Sequence, residues 1–371
     1  EEAREYNNQF YTAVVSTNTL GFINDPAAPP LTGLELGSLL DYDHESETSA
    51  LFGQTTYLVG ERLSLTGGLR YTRDDKRLTQ RSPQPPAPRI VDTDSSELNW
   101  MANALYLWSE DVSTYLRVST GYKAGGSNAR SVNPSFEPEH ITSYELGLKS
   151  TWLERRLQLN LAAFYSQYRD LQVQQFEAGS GGATSITVNA GRARYLGLEV
   201  ELQAYLTNAL SVSANLGLLD PKYEEFLYVD PACDPATEPD GDCRIDIADQ
   251  AEFPYTSKLT ADVGLQYALP SLAFGTPLLR VDYSYRSELY YHPFTALAED
   301  IKAPGQGLLG ARLALSEIVL GGLALEAAIW GRNLLDEDYV ASGIDFGGLQ
   351  YGIRNYGPPR TVGLDLKIEY R

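Results

Sequence analysis

The sequence is short of several residue types, and each shortage argues against a class of protein. It contains no run of 18 apolar residues, which excludes a membrane-spanning helix. It has 29 Lys and Arg against 49 Asp and Glu, a net charge of -20 without any basic run, so nucleic acid is not an expected partner. With 1 Met, 2 Cys and 3 His it offers few nucleophiles or metal ligands. The 25 Tyr and 32 Gly that it does contain are typical of strands and turns.

Residues that would carry out catalysis are also scarce. The three histidines, His44, His140 and His292, are far apart in the sequence and belong to no recognisable catalytic motif. The glycine-rich residues 179–182 are not followed by the Lys-Ser/Thr of a phosphate-binding loop. The sequence therefore predicts no catalytic residues, no metal centre and no cofactor, and the protein is not expected to be an enzyme.

Apolar and polar residues alternate with a period of two along most of the chain, which is typical of strands with two different faces. Leu157, Leu159 and Leu161, for example, alternate with Gln158 and Asn160. Such segments predict about fourteen strands. Their approximate ranges are 3–15, 48–59, 62–79, 97–108, 112–123, 141–152, 156–176, 185–206, 209–229, 255–269, 277–292, 305–316, 322–334 and 355–370.

The predicted connections alternate between short turns and long polar loops. The short turns fall near 60–61, 109–111, 154–155, 207–208, 270–276 and 317–321, and the long loops near 17–46, 80–95, 124–139, 177–184, 230–253, 293–304 and 335–354. This pattern predicts an all-β fold, a transmembrane antiparallel β-barrel with short periplasmic turns and long extracellular loops. A soluble β-sandwich also alternates, but strands of up to roughly twenty residues favour the barrel, because globular strands average about five or six.

Aromatic residues lie next to the short turns. They are Tyr57, Tyr106, Trp108, Trp152, Tyr205, Tyr267 and Tyr370. In a membrane barrel such residues form a girdle at the interface between lipid and water. Packing of rings across the ends of hairpins is the alternative interpretation.

Several segments resemble the barrel of the TonB-dependent outer-membrane receptors, and most of all the siderophore receptors. Residues 333–339 are similar to the penultimate-strand motif of that family, and residues 356–364 to its closing strand. Residues 63–71, 121–126, 144–149 and 189–199 are similar to internal strands. The resemblance extends from about residue 47 to the end and implies an integral outer-membrane receptor for a scarce nutrient, such as a ferric siderophore.

The resemblance also implies partners and a larger whole. Barrels of this family have about twenty-two strands and enclose a plug, through which the TonB complex acts. About fourteen strands and no plug are recognisable, so residues 1–371 are expected to be the C-terminal part of such a barrel. The implied partners are outer-membrane lipid, an iron-siderophore chelate and the TonB complex, with the protein as a monomer. A passive porin-like channel and a soluble β-rich binding module are the alternatives.

Two cysteines, Cys233 and Cys243, lie within one long polar loop. In a protein exported to an oxidising compartment we expect them to form a disulfide, which stabilises the fold by roughly 2–4 kcal/mol. The acidic residues around them suggest Ca²⁺ binding as an alternative, but they lack the spacing of an EF-hand. These residues are Asp230, Asp234, Asp240, Asp242 and Asp246.

Two further groups of residues are candidates for contact with a plug or a ligand. By alternation, a charged set faces the lumen of the barrel: Arg70, Arg117, Lys149, Glu199, Glu201, Asp262, Arg280, Asp282, Arg286, Arg312, Glu326, Asp365 and Lys367. Plug contacts and simple solvation both explain that set. Arginine charge and aromatic stacking suit an anionic ferric chelate, and the loop residues that could supply them are Tyr228, Tyr290, Tyr291, His292, Phe294, Tyr351 and Arg354. Packing of these aromatics within their own loops is an equal alternative.

Overall fold

A computed structural model provides the structure of the chain. It describes residues 2–14, 35–82, 88–129, 135–179, 182–189, 191–229, 243–294, 298–345 and 352–370. These residues form twenty-one strands and one short helix. Among them, no helix is long and apolar enough to cross a membrane. The elements are β1 (Glu2–Val14), β2 (Glu35–Val59), β3 (Leu63–Ser82), β4 (Arg89–Leu107), β5 (Val112–Lys123), β6 (Gly126–Ser127), β7 (Ser135–Phe136), β8 (Glu139–Trp152), β9 (Leu157–Arg169), β10 (Gln172–Gly179), β11 (Gly182–Asn189), β12 (Gly191–Tyr205), β13 (Leu210–Val229), β14 (Arg244–Asp246), β15 (Leu259–Ala268), β16 (Thr276–Arg286), α1 (Ala298–Ile301), β17 (Gln306–Leu320), β18 (Leu323–Arg332), β19 (Val340–Asp345), β20 (Gly352–Tyr356) and β21 (Thr361–Tyr370).

Fourteen of these strands form one antiparallel sheet in the order in which they follow along the chain. The order is β1-β2-β3-β4-β5-β8-β9-β12-β13-β15-β16-β17-β18-β21, and β14 adds to β13. The remaining strands form the separate hairpins β6–β7, β10–β11 and β19–β20. Among the described strands, β1 and β21 each have one neighbour, so this sheet is open rather than closed into a cylinder.

The predicted all-β architecture is confirmed, and each of the fourteen predicted segments corresponds to one strand of the main sheet. Several boundaries were wrong. Residues 80–82 and 89–95, predicted as loop, belong to β3 and β4, and residues 317–320, predicted as a turn, belong to β17. The predicted strand 185–206 covers parts of two strands, β11 and β12, and the predicted strand 277–292 ends at Arg286.

Residues 35–46, part of the predicted loop 17–46, extend β2 and pair with β1, from Ser46 opposite Ala3 to Glu35 opposite Val14. The predicted strand 156–176 ends at Arg169, because Asp170 has a left-handed φ of 55° that interrupts it. The residues beyond Asp170 pair with 182–189 as the hairpin β10–β11.

The two ends of the main sheet differ as predicted. Short connections of two to seven residues lie at one end, here named the short-turn end, at 60–62, 108–111, 153–156, 206–209, 269–275 and 321–322. Glycines with positive φ form the tightest of these turns, at Gly60, Gly321 and Gly322. The longer connections lie at the opposite end, here named the long-loop end. The strands are therefore joined by short turns at one end of the sheet and by long loops at the other.

The sheet has an apolar face and a charged face. On β12, Leu196 and Leu198 point to the apolar face, while Glu199 and Glu201 point to the other. The apolar face continues to the last strand, where Leu364 is 82% exposed. An exposed aliphatic surface of this extent is expected where the surrounding solvent is lipid.

The aromatic residues predicted near short turns lie there and are mostly exposed. Tyr57, Trp108, Trp152, Tyr205 and Tyr267 are each between 38% and 70% exposed. The rings of Tyr106 and Trp108 also meet edge to face at 4.7 Å, but both lie at the end of β4, so this contact is not one across a hairpin. Tyr205 lies on the charged face, where Gln203 donates to its hydroxyl at 3.2 Å. The other exposed rings form a row at one height on the apolar face, which favours the interfacial girdle.

On the charged face, aromatic rings lie flat over glycines of the neighbouring strand. A Cβ at Gly147 would lie 2.2 Å from the ring of Tyr115, and a Cβ at Gly197 equally close to the ring of Phe164. Both pairs are direct cross-strand neighbours. The missing side chain therefore makes room for a ring, which covers the strand backbone that glycine leaves bare.

Candidate functional site

The loops that follow β13, β16 and β18 meet at the long-loop end and form one layer. The backbone N–H of Tyr255 donates to the carbonyl oxygen of Tyr290 at 2.8 Å, and that of Glu252 to Pro293 at 2.7 Å. The ring of Tyr228, at the end of β13, meets that of Phe294 edge to face at 5.3 Å. Two of the predicted ligand residues, Tyr228 and Phe294, are thus in contact, and a third, Tyr290, belongs to the same layer.

Tyr291 joins this layer to the hairpin β19–β20. Its side chain is 4% exposed, and its hydroxyl donates to the carbonyl oxygen of Val340 at 3.1 Å. Its ring also contacts that of Tyr255, with centroids 5.5 Å apart. A ring this buried holds the loops together and is not free to stack on a ligand, so for Tyr291 the packing alternative applies.

His292 makes a second connection to the same hairpin. Its Nε2 accepts a hydrogen bond of 3.0 Å from the backbone N–H of Asp345. Nε2 is therefore unprotonated, and the ring is neutral. Burial of the ring lowers the pKa of His292, and the carboxylate of Asp345 opposes that change only in part.

Tyr290 belongs to a charged group at the surface of the layer. Its hydroxyl donates to Glu299 at 2.7 Å, and the ammonium of Lys302 lies 2.7 Å from Glu299 and 3.1 Å from Glu288. Hydrogen bonds from Lys302 and Tyr290 lower the pKa of Glu299, and the two carboxylates raise that of Lys302. The ammonium also lies 5.3 Å from the centre of the Tyr290 ring.

The remaining predicted loop residues are less constrained. Arg354 is exposed on β20, where it pairs with Gly343. Tyr351 and Cys233 lie outside the described residues. Cys243 is disulfide-bonded, and its pairing with Cys233 stays a prediction. Within the described part of the chain, no group of His, Cys, Asp or Glu is arranged to hold a metal ion.

Asp246, one of the acidic residues considered for Ca²⁺, has a different role. Its carboxylate accepts hydrogen bonds from the backbone N–H groups of Phe226 and Ala248, at 2.9 and 3.0 Å. These bonds lower the pKa of Asp246. The side chain therefore fixes the start of the loop after β14 against the end of β13.

Sequence reasoning missed an aromatic cluster beneath this layer, on the charged face. The rings of Tyr223 and Phe253 stack with centroids 3.8 Å apart, and Phe226 is fully buried beside them. The segments that meet here are far apart in sequence, so no local pattern predicts the contact. The buried members are Leu171, Val173, Ala193, Tyr223, Phe226, Ile247 and Phe253.

The thirteen residues predicted to face the lumen share one face of the sheet, since the register links each strand to the next. Several of them form ion pairs across strands. Arg117 lies 2.8 Å from Glu145, and Arg312 lies 2.9 Å from Glu326 and 3.6 Å from Asp365. Contact between these residues and a plug stays a prediction.

Two polar recesses open on the charged face. One of about 630 Å³ is lined by Tyr115, Lys149 and Glu199, and the hydroxyl of Tyr115 donates to Glu145 there at 2.5 Å. The other, of about 590 Å³, contains Trp330, whose indole N–H lies 2.9 Å from Asp365. The sequence analysis did not single out Tyr115 or Trp330. It assigned residues to faces by the alternation of apolar and polar side chains, and an aromatic side chain on the charged face does not follow that alternation.

Comparison with known proteins identifies the family. The family description "TonB dependent receptor-like, beta-barrel" matches residues 2–334. The chain is 23% identical over 215 residues to a probable TonB-dependent siderophore receptor, PiuA, of Acinetobacter baumannii, an alignment covering 56% of this chain and 28% of that protein. It is 30% identical over 164 residues to the pesticin receptor of Yersinia pestis, covering 42% and 23% of the two chains.

Solved structures agree in fold. The ferric yersiniabactin uptake receptor FyuA from Yersinia pestis superimposes with a TM-score of 0.70 and 20% identity, over 89% of this chain and 46% of that chain. The siderophore receptor PiuA from Acinetobacter baumannii gives a TM-score of 0.70 and 17% identity, over 100% and 52% of the two chains. The chain thus spans about half the length of these two receptors. It belongs to the TonB-dependent receptor β-barrel family and is an integral protein of the outer membrane.

Proposed function

We propose that this chain forms barrel wall and extracellular loops of a receptor that takes up a ferric siderophore with energy supplied through TonB. The connected loop layer at the long-loop end is the observation that carries the proposal. It presents aromatic rings and cations outside the membrane, above a charged face that lines the lumen. Relatives with this fold include a ferric yersiniabactin uptake receptor and a siderophore receptor.

We place the ligand at the exposed part of the loop layer. Phe294 is 40% exposed, and Arg354 is exposed on β20. A ring and a guanidinium of this kind suit a planar, anionic chelate, because the ring stacks and the guanidinium neutralises charge. Tyr291 and His292 would then act indirectly, by holding the loops that carry these two residues.

The charged face has a matching role in the same proposal. Its cross-strand ion pairs and two polar recesses would contact a plug that fills the lumen, as the family resemblance implies. Each exposed ion pair contributes about 0.2–1 kcal/mol. Many such pairs together would keep the plug in the lumen, while each one is weak enough to break when TonB pulls on the plug.

Uptake of radioactive iron tests the proposal. A host strain that expresses the receptor would be supplied with ⁵⁵Fe complexed to catecholate, hydroxamate or phenolate siderophores, with TonB present or deleted. We expect one class of chelate to be accumulated, and only when TonB is present. Accumulation that is equal without TonB would identify a passive channel instead, and failure of every chelate would overturn the siderophore assignment.

Loop variants locate the binding site in the same assay. Phe294→Ala and Arg354→Ala are expected to weaken binding of the chelate about tenfold each, as a lost ring stack or charge-assisted bond of about 1.4 kcal/mol requires. Phe274→Ala and Arg62→Ala are matched controls, since both residues are exposed at the short-turn end. Equal loss in variants and controls would contradict the assignment of the site.

A further inference from the structure

On the apolar face, four cations from three neighbouring strands lie together just above the aliphatic rows. Arg169 on β9 is the direct cross-strand partner of Arg192 on β12. Arg194, two residues further along the same face of β12, is the direct partner of Lys222 on β13. Like charges directly opposite each other destabilise a sheet. Two such basic pairs side by side are unexpected in a chain of net charge -20.

The carboxylates nearby neutralise only part of this charge. Arg192 lies 3.2 Å from Glu225, whereas Arg194 lies 3.6 Å from Asp220. Arg169 and Lys222 are exposed and form no ion pair with any residue in the described ranges. Of the other ionisable groups here, Asp170 lies 4.0 Å from His140 Nδ1. We refer to Arg169, Arg192, Arg194 and Lys222 as the basic patch.

The height of the basic patch follows from the geometry of β12. Its apolar face begins at Ala204, next to the short turn, and continues to Leu196. Eight residue steps along a strand that rises about 3.3 Å per residue and is tilted by about 40° span about 20 Å along the membrane normal, and Arg194 lies two steps further along. The apolar band of such barrels is about 25 Å tall. Arg194 and Arg192 therefore lie directly above the hydrocarbon, at the level of the outer-leaflet headgroups.

We propose that the basic patch binds the phosphorylated headgroup of one lipid of the outer leaflet. The acyl chains of that lipid would lie along Leu196 and Leu198, and its phosphate would lie between the two cation pairs. Guanidinium and ammonium groups are the donors that phosphate prefers. A bound phosphate also relieves the repulsion between Arg169 and Arg192, which accounts for like charges facing each other across the ladder. This site is on the outer wall and is independent of the nutrient that the receptor imports.

The test measures lipid binding by the receptor, as its host expresses it, after purification in detergent. The probes are lipid A with two phosphates, lipid A with one phosphate, and inorganic phosphate alone. The variant is Arg169→Gln with Lys222→Gln, which removes the two cations without ion pairs. One cation near an anionic lipid surface contributes about fivefold to binding, so the pair should weaken binding of diphosphorylated lipid A about thirtyfold.

The control is Arg73→Gln with Arg77→Gln. Both arginines lie on the same face, on β3, but each is already paired, with Asp75 at 2.8 Å and Asp92 at 2.6 Å. We expect this control to bind diphosphorylated lipid A like the unaltered receptor, and both variants to retain its electrophoretic shift on heating, a sign of intact folding. Equal binding by the two variants would overturn the proposal. So would binding of inorganic phosphate as tight as that of lipid A, which would make the site one for free anions.

Discussion

Gly147 shows how a single absent side chain organises the charged face. The ring of Tyr115 lies over it, and the hydroxyl of that ring reaches Glu145 at 2.5 Å. Gly147→Ala places a methyl group 2.2 Å from ring carbons, so the ring must move and the hydrogen bond is lost. We expect the free energy of unfolding to fall by about 1–3 kcal/mol.

Urea unfolding in lipid vesicles, followed by tryptophan fluorescence, measures this change. Gly68→Ala is the matched control, because it lies on the same face and a Cβ there has its nearest contacts at 3.8 Å. The control should change stability by no more than about 0.5 kcal/mol. If the two alanines cost the same, the ring position is not what makes glycine necessary at 147.

His292 predicts a pH dependence confined to the loop layer. Burial lowers the pKa of this ring, so the undocked loop takes up a proton at a higher pH than the docked loop does. Docking stability is therefore complete above about pH 6.5, the ordinary histidine value, and falls as the pH drops below it. Hydrogen exchange at the amide of Asp345, corrected for the intrinsic rate, should accelerate between pH 7.5 and about pH 5.

The variant His292→Phe removes the titrating group and keeps a ring of similar size. Its exchange at Asp345 should be faster at neutral pH, because the acceptor Nε2 is absent, and should not change further on acidification. A pH-dependent acceleration that persists in the variant would assign the effect to another group.

At the scale of elements, the hairpin β10–β11 depends on a few side chains that bond to backbone. Asn189 donates to the carbonyl oxygens of Glu137 and Asp170 at 2.9 and 2.7 Å and accepts the N–H of Glu137 at 2.7 Å. Asn189→Ala leaves three backbone groups without this partner. We expect the docking of the hairpin to weaken by about 1–3 kcal/mol, with the main sheet unaffected.

Limited proteolysis of intact cells detects that loosening, since residues 172–179 and 182–189 lie at the long-loop end. Asn208→Ala, in an exposed turn at the other end, is the control and should leave the cleavage pattern unchanged. Cleavage of Asn189→Ala at the rate of the unaltered receptor would show that other contacts hold the hairpin.

At the scale of the whole molecule, the two faces of the sheet should respond oppositely to charge. Val200 lies on the apolar face five residues from Tyr205, about 13 Å along the membrane normal and thus near the midplane. Val200→Arg is expected to cost about 2–4 kcal/mol of folding in a bilayer. The neighbouring substitution Glu201→Arg, on the charged face, should cost less than about 1 kcal/mol because the side chain stays in a polar environment.

Folding yield into vesicles, read from heat-dependent mobility on gels, compares the two variants. A larger loss for Glu201→Arg than for Val200→Arg would reverse the assignment of the faces and contradict the membrane orientation described above.

Period-two alternation was sufficient to predict the strands of the main sheet. One face of each strand is apolar and the other is polar, so every strand has the same alternation in its sequence. It failed where a segment leaves the sheet. Asp170 ends β9 with a left-handed backbone that aspartate adopts only when its surroundings favour it. Residues 35–46 lack the alternation and became a strand through pairing with β1.

The candidate site was predicted only in part. Tyr228, Tyr290 and Phe294 were predicted as ligand contacts, and that role stays a prediction; the structure shows that the rings of Tyr228 and Phe294 meet. Their separate roles were not predictable, because burial of Tyr291 comes from Val340 and Tyr255, which are distant in sequence. The cluster around Tyr223 and Phe253 was missed for the same reason.

The sequence by itself determined the class of fold, the fourteen consecutive strands of the main sheet, which end carries the long connections and which charged residues share one face. These features follow from the local alternation of apolar and polar residues and from the lengths of the connections. Both can be read from the sequence without knowledge of contacts between distant segments. The tertiary structure decided which loops join, which aromatic rings are buried, and that Arg169 and Arg192 face each other on the outer wall. Those facts depend on the register between strands and on contacts between distant segments, which no local pattern encodes.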